Sequence, residues 1–144
     1  MDQYNLNRFI EAQMATYEGV MLELTRGRKE SHWIWYIFPQ IEGLGKSDIA
    51  KLYSIKSLEE GRAYLKHPLL GPRLTEACEI LLSLKDASMD EVMGFPDDLK
   101  LLSSMTLFES IADTNSIFTK IIEFYYDDER DSSSLEIIKK MNLT

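Results

Sequence analysis

Apolar residues recur at helical spacing along the first part of the chain. They stand at Leu6, Phe9, Ile10, Met14, Tyr17, Val20, Met21 and Leu24, with Gln13 beside Met14 on the same face. Spacings of three and four residues place these side chains on one side of a helix. The pattern therefore predicts an amphipathic helix over residues 6–24, with Asn5 as its N-cap and Gly27 as its C-terminal cap.

Three further helix starts carry a shared capping signal. Serine is followed three residues later by glutamate at Ser57–Glu60, Ser88–Glu91 and Ser133–Glu136. In such a capping box, each side chain bonds a backbone amide that the first helical turn leaves free. Other helix starts are predicted at Ser47, at Thr114–Asn115 and at Pro96, which is followed by two aspartates.

Prolines mark the ends of several segments. Phe38-Pro39 should end the secondary-structure element that precedes it, because the residue before a proline is pushed out of the helical region of backbone conformation. His67-Pro68 and Gly71-Pro72 predict a turn that leads into a helix over Arg73–Leu84. We find no internal repeat and no linker. The sequence therefore predicts an all-α fold, a single compact domain over residues 1–144 with six to eight helices and short loops.

The segment His32–Phe38 consists of seven bulky residues without a period, which is compatible with a buried strand or with a short buried helix. Intrinsic β propensity favours a strand. A lone strand would leave backbone groups unpaired, and the sequence holds no second strand-like run to pair with it. We therefore expect a helix.

Composition narrows the classes of function. Residues 1–72 hold nine acidic and nine basic side chains, whereas residues 73–144 hold fifteen acidic and seven basic ones, so the second half carries the whole net charge of −8. Nucleic-acid binders normally carry a basic surplus, so we expect no nucleic-acid partner. We also expect no membrane span and no signal peptide, because no apolar run is long enough. One cysteine, Cys78, fits a reducing compartment, and the predicted location is cytoplasmic.

Four motifs carry a resemblance to a known family. They are Ser31-His-Trp-Ile-Trp-Tyr-Ile-Phe-Pro-Gln40, Gly43-Leu-Gly45, His67-Pro-Leu-Leu-Gly-Pro-Arg73, and Pro96-Asp-Asp-Leu-Lys100 with Ser103-Ser-Met-Thr-Leu-Phe108. In this order they resemble the small bacterial proteins of the domain of unknown function family 1810, from about Arg8 to Leu135. The resemblance implies a mainly α-helical fold, and it implies no activity and no catalytic residues.

The first candidate site groups cations with aromatic rings: Arg26, Arg28, Lys29, His32, Trp33, Trp35 and Gln40. Cations bind a phosphate or a carboxylate, while flat aromatic rings stack on a planar group. Together they suit a nucleotide-like or aromatic-acid ligand. The alternative is structural: both indoles belong to the core, where loss of a buried Trp35 ring should cost about 3–5 kcal/mol, and the cations lie on a solvated loop.

The second candidate site lies on the helix that begins at Pro96. Asp97, Lys100 and Ser104 follow one edge of its apolar stripe and could place an acid, a base and a hydroxyl in one cleft. In the structural alternative, Asp97 caps the helix, Lys100 lies at the surface and Ser104 bonds the carbonyl four residues before it.

These observations lead to two hypotheses. In the first, the protein binds or processes a small anionic, planar ligand in a cleft between the 28–40 segment and the helix from Pro96. His32 and Asp97 would form its acid–base pair, and Arg28, Lys29, Trp33, Trp35, Gln40, Lys100 and Ser104 would bind the ligand. In the second, the protein is a non-enzymatic interaction module. Two distant histidines and one cysteine predict no metal site, and the sequence indicates no particular cofactor or oligomeric state.

Overall fold

The computed structural model describes residues 2–142, and this part of the chain forms ten helices. They are α1 (Asn7–Met14), α2 (Tyr17–Arg26), α3 (Ile34–Ile37), α4 (Asp48–Leu52), α5 (Leu58–Lys66), α6 (Leu70–Ser83), α7 (Met89–Met93), α8 (Asp97–Ile111), α9 (Ile117–Tyr125) and α10 (Ser132–Asn142). Helix α8 packs against α3, α5, α7, α9 and α10 and forms the centre of the bundle. The all-α prediction is confirmed. Ten helices exceed the predicted six to eight, but seven of them have eight or more residues, and α3, α4 and α7 have only four or five.

The helix predicted over residues 6–24 is divided in two. It breaks at Ala15 and Thr16, where the Thr16 amide donates to the Gln13 carbonyl and the Thr16 hydroxyl donates to the Ala12 carbonyl. A threonine hydroxyl that bonds back to the preceding turn bends a helix. Both halves keep most of the predicted apolar face, except that Met14 is 74% exposed and Gln13 is buried next to it. Gly27 adopts the left-handed conformation and ends α2, as predicted.

The predicted serine caps are confirmed at three positions. Ser47 and Ser57 each accept a hydrogen bond from the first turn of their helix, and Ser88 forms a complete capping box with Glu91. The capping box predicted at Ser57 is incomplete. One Glu60 oxygen accepts a hydrogen bond from the Lys56 amide in place of the Ser57 amide. The other Glu60 oxygen binds Arg8.

Helix α8 begins after Pro96, as predicted, and three other predicted caps were wrong by a few residues. Helix α10 begins at Ser132, and the Asp131 carboxylate accepts from the Ser134 amide, so Asp131 takes the place predicted for Ser133. Ser116 caps α9 in place of Thr114–Asn115. The Asp2 carboxylate accepts from the amides of Leu6 and Asn7, so it satisfies the start of α1 in place of Asn5. In each case another side-chain oxygen within three residues accepts the hydrogen bond from the amides at the helix start.

Helix α6 begins at Leu70, earlier than the predicted start at Arg73. Pro72 is tolerated there because amides in the first helical turn need no partner within the helix. Gly71 brings α6 against the end of α5: a Cβ atom at this position would lie 2.1 Å from the Leu65 carbonyl oxygen. The Gly-Pro pair therefore serves close helix packing within α6 and does not form a turn before it.

The 32–38 segment contains the short helix α3, as predicted, and α3 ends before Pro39. An isolated parallel bridge then joins Ile41 to Ile55. Their backbones are linked because the Ile55 amide donates to the Gln40 carbonyl and the Glu42 amide donates to the Ile55 carbonyl. The bridge folds the 41–57 segment back on itself beside α3.

The core is continuous through the bundle and includes both aromatic and aliphatic side chains. Trp33, Tyr64 and Phe108 are fully buried in it. Cys78 is also fully buried, as its helical spacing predicts, and burial raises the pKa of its thiol. No helix within residues 2–142 is long and apolar enough to cross a bilayer.

Candidate functional site

The loop after α2 is organised by one carboxylate, that of Glu23. Its oxygens accept hydrogen bonds from the amides of Glu30 and Ser31, from the Ser31 hydroxyl and from the indole nitrogen of Trp33. Burial alone raises the pKa of Glu23, but the hydrogen bonds from Ser31, Glu30 and Trp33 outweigh it and lower the pKa to about 2. Glu23 therefore holds the segment that contains the predicted basic and aromatic residues.

Lys29 turns inward from this loop. Its side chain is only 6% exposed, and its ammonium nitrogen lies 2.7 Å from Oδ2 of Asp97 and 2.6 Å from the Ser31 carbonyl oxygen. The ammonium also lies 5.1 Å from the centre of the Trp33 ring. The Lys29 amide donates to the Val92 carbonyl of α7, which fixes the loop against a second element.

Lys100 lies on the solvent side of the same carboxylate. Its ammonium nitrogen is 3.4 Å from Oδ1 of Asp97 and 5.3 Å from the centre of the Trp35 ring. Asp97 thus lies between two cations, Lys29 on its buried side and Lys100 on its more exposed side. The three charges leave one positive charge, which lies beside an indole face.

A cleft of about 310 Å³ opens next to Lys100 and Trp35. Its walls come from α3, from the 40–50 segment and from the first turns of α8. The residues that line it are Trp35, Gln40, Leu44, Gly45, Lys46, Ser47, Ala50, Pro96, Leu99, Lys100 and Ser103. Among residues 2–142, the lining contains two lysines and no carboxylate. The cleft is therefore both basic and aromatic, although the chain as a whole is acidic.

The structure brings some of the predicted site residues together. Trp35, Gln40 and Lys100 line the cleft, and the contacting pair of Lys29 and Asp97 lies behind Lys100. These five residues come from the two regions that the sequence hypothesis joins.

Four predicted site residues lie elsewhere. Trp33 is 1% exposed and belongs to the core. Arg28 and His32 are exposed and do not line this cleft. Ser104 is fully buried, and its hydroxyl has no hydrogen-bond partner within residues 2–142, so the expected bond to the Lys100 carbonyl is not made. The carboxylate of Asp97 contacts lysines and makes no ion pair with His32.

Sequence reasoning overlooked four residues that shape or line the site. Lys46 and Ser47 come from the loop before α4, and Ser103 takes the lining position expected for Ser104. Glu23 holds the loop from the polar face of α2. Only Ser103 carried a local signal, since it lies one helical turn from Lys100. The others are brought to the site by chain segments that are distant in sequence.

A larger cavity, of about 750 Å³, lies beside the N-terminal segment and α5. The guanidinium of Arg8 forms part of its wall. It donates to the carbonyls of Leu52, Ser54, Tyr4 and Asn5 and binds Glu60 at 2.6 Å. All the donor nitrogens of Arg8 are used in these contacts, so this residue joins segments of the fold and is not free to bind a ligand.

Comparison with known proteins gives a family and a solved relative. The model of a family described as "Protein of unknown function (DUF1810)" matches residues 3–138. The structure of the conserved hypothetical protein Rv1873 from Mycobacterium tuberculosis is 45% identical, with a TM-score of 0.94 over 96% of this chain and 99% of that chain. No curated protein matches the chain significantly. The family expected from the motifs is confirmed, and the solved relative has the same fold.

Proposed function

Since this chain belongs to the DUF1810 family of proteins of unknown function, we propose its function from the cleft itself: the protein binds a small anionic ligand that has a planar group. Trp35 provides the flat surface, and Lys100 and Lys46 provide the positive charge. The proposal concerns binding. A reaction that uses His32 and Asp97 remains a prediction from the sequence.

The charge balance around Asp97 carries the proposal. Lys29 is buried and lies 2.7 Å from Asp97, so this pair is neutral by itself. The charge of Lys100 is therefore left over, although its ammonium nitrogen lies 3.4 Å from Oδ1 of the same carboxylate. A positive charge in a concave site with low-dielectric walls attracts anions more strongly than an isolated surface charge does. This matters in a protein whose net charge is −8, because the rest of the surface repels anions.

The position of Trp35 supports a planar ligand. Its ring is partly buried and lines the cleft, whereas the neighbouring Trp33 is buried in the core. An indole that remains accessible next to a cation can stack on a ligand ring while the cation binds the ligand's acidic group. A volume of about 310 Å³ is at the lower end of the range of small-molecule sites, roughly 300–1,000 Å³, and so favours a ligand of one or two rings.

A thermal-shift experiment on the full chain tests the proposal. The probes are mononucleotides, nucleotide sugars and aromatic carboxylic acids, with inorganic phosphate as a non-planar anion. A ligand at about 100 times its Kd adds ~2.7 kcal/mol of stability, which should raise the Tm by several degrees at this chain length. We expect at least one planar anion to raise the Tm and phosphate to raise it much less.

Two variants make the test specific to the cleft. Lys100→Met removes the charge, and Trp35→Leu removes the flat ring, so each should reduce the ligand-induced shift. Lys140→Met, an exposed lysine on α10, is the matched control and should leave the shift unchanged. If no planar anion raises the Tm, or if Lys100→Met responds as the unmodified protein does, the proposal is wrong.

One observation favours the interaction-module alternative. Phe95, just before α8, is 76% exposed, and Leu99, in the first turn of α8, is 49% exposed and itself lines the cleft. Large apolar side chains exposed together are typical of surfaces that bind other proteins. Both hypotheses predict that Phe95→Ser leaves ligand-induced shifts intact. Only the alternative predicts that this variant loses binding to a protein partner.

A further inference from the structure

Gln40 occupies a fixed place in the wall of the cleft. Its backbone carbonyl oxygen accepts a hydrogen bond from the Ile55 amide, with an N–O distance of 2.8 Å. This bond belongs to the bridge between Ile41 and Ile55. The residues on either side of it, Pro39 and Ile41, are buried. The backbone is thus held from both sides, while Gln40 itself is only partly buried and lines the cleft beside Trp35. A binding group on such a rigid base needs little ordering when a ligand arrives.

The side-chain amide of Gln40 makes no hydrogen bond to any residue in the described range 2–142. Gln13, which is 1% exposed, shows the contrast. The Gln13 amide nitrogen donates to the Tyr36 carbonyl, and its oxygen accepts from Arg73. Gln13 is therefore a satisfied structural residue, whereas Gln40 lines the cleft and its side-chain amide is bonded to no other described residue.

We infer that Gln40 recognises the edge of the planar ligand, and that the ligand is a heteroaromatic anion with an N–H group next to a carbonyl. This inference rests on the proposed function. A glutamine amide presents one acceptor and one donor side by side. It can therefore form two parallel hydrogen bonds with a ring that presents the opposite pair, as glutamine does with the edge of a nucleobase. A plain aromatic acid has no such pair on its ring.

Each side of the cleft then contributes a separate element of recognition. Trp35 contacts the ring face, Lys100 and Lys46 bind the acidic group, and Gln40 selects the ring edge. Selection arises because a ring without polar edge atoms would displace water from the Gln40 amide and leave it unpaired, which is costly. Trp35 and Lys100 would treat both kinds of ring alike. Gln40 is thus the residue that determines specificity.

Two matched probes test the inference: orotate, which is a single ring with a carboxylate and N–H and C=O groups, and benzoate, which is a single ring with a carboxylate alone. Isothermal titration calorimetry on the full chain should give a Kd for orotate that is roughly ten- to hundredfold lower than that for benzoate, the discrimination that a good bidentate contact provides. Gln40→Met has a similar length and no hydrogen-bonding atoms. It should raise the Kd for orotate, because both hydrogen bonds are lost, and should not raise the Kd for benzoate, because no unpaired amide is left beside that ring.

Two further variants keep the result interpretable. Gln3→Met is the matched control, because Gln3 is an exposed glutamine that lines the larger cavity beside Arg8, and it should bind both probes as the unmodified protein does. Gln40→Glu keeps the shape of the side chain but adds a negative charge that repels anions, so this variant should bind neither orotate nor benzoate. Circular dichroism checks that each variant is folded, and Gln40→Leu, which also lacks hydrogen-bonding atoms, serves as the test if Gln40→Met does not fold.

The outcomes separate this inference from the proposal on which it rests. Equal binding of orotate and benzoate by the unmodified protein overturns the role of Gln40 and leaves the anion cleft standing. An equal loss of both probes in Gln40→Met also overturns it, because Gln40 would then only support the cleft. If neither these probes nor any planar anion of the thermal-shift series binds, the proposed function fails, and the inference fails with it.

Discussion

The ammonium nitrogen of Lys29 lies 2.7 Å from Oδ2 of Asp97 and joins the loop after α2 to the first turn of α8. Side-chain exposures of 6% for Lys29 and 19% for Asp97 show that water screens this pair only weakly. The pair fixes the relative position of the two segments from which the cleft is built, and it neutralises the carboxylate that would otherwise cancel the charge of Lys100.

Removing Asp97 should destabilise the protein, because Lys29 would keep a buried positive charge without a carboxylate. We expect Asp97→Ala to cost about 3 kcal/mol in urea denaturation. Asp86→Ala, which alters an exposed aspartate after α6, is the control and should change the free energy of unfolding by less than about 0.5 kcal/mol. A similar small effect for both variants would show that the ion pair contributes little.

The two tryptophans should differ strongly in their contribution to stability. Trp33 is 1% exposed and donates its indole hydrogen to Glu23, so Trp33→Ala should cost about 3–5 kcal/mol. Trp35 is only partly buried, so Trp35→Ala should cost less than about 2 kcal/mol. Chemical denaturation of the two variants measures both values. A loss of about 3–5 kcal/mol at Trp35 would restore the expectation from the sequence that Trp35 is a buried core ring.

Stability should fall in acid through the protonation of Glu23. Its pKa is lowered to about 2 in the folded protein from an ordinary value of 4.5. A carboxyl group with a lowered folded pKa adds stability above its unfolded pKa and loses it as the pH falls towards the folded value. The stability that the ionised Glu23 carboxylate contributes is therefore lost between about pH 4.5 and pH 2.

The isosteric variant Glu23→Gln should flatten the stability profile in this window, since glutamine does not titrate. Glu18→Gln, at an exposed position on the same helix, should keep the slope of the unmodified protein. The free energy of unfolding is measured at half-unit steps of pH. An unchanged slope in Glu23→Gln would mean that another group is responsible.

Two glycines in helices should respond in opposite ways to alanine. A Cβ atom at Gly71 would lie 2.1 Å from the Leu65 carbonyl oxygen, whereas a Cβ atom at Gly19 has nothing within 4 Å. Gly71→Ala should therefore destabilise the protein by about 1–3 kcal/mol, because α5 and α6 must move apart. Gly19→Ala should stabilise it by about 0.5–1 kcal/mol through higher helix propensity. Thermal unfolding distinguishes the two, and a shift of the same sign in both would contradict the packing described for Gly71.

The sequence determined the helical class of the protein and several of the places where helices begin and end. Periodicity of apolar residues and the caps at Ser47, Ser57, Ser88 and Gly27 depend on neighbours within about four residues, so they can be seen in the sequence itself. Where prediction failed locally, as at Asp131, two residues close in sequence (Asp131 and Ser133) each carry an oxygen that can cap a helix, and only packing selects between them.

The candidate site depended on contacts that no local pattern records. The sequence indicated Trp35, Gln40 and Lys100 as site residues by their chemistry, but it did not distinguish the buried Trp33 from the accessible Trp35, because both belong to one apolar run. It paired Asp97 with His32, whereas the tertiary structure brings Lys29 to that carboxylate. Ion pairing and burial are set by how distant segments pack, and helical periodicity describes only one segment at a time. The helices could therefore be derived from the sequence, and the charge balance of the cleft was decided by tertiary packing alone.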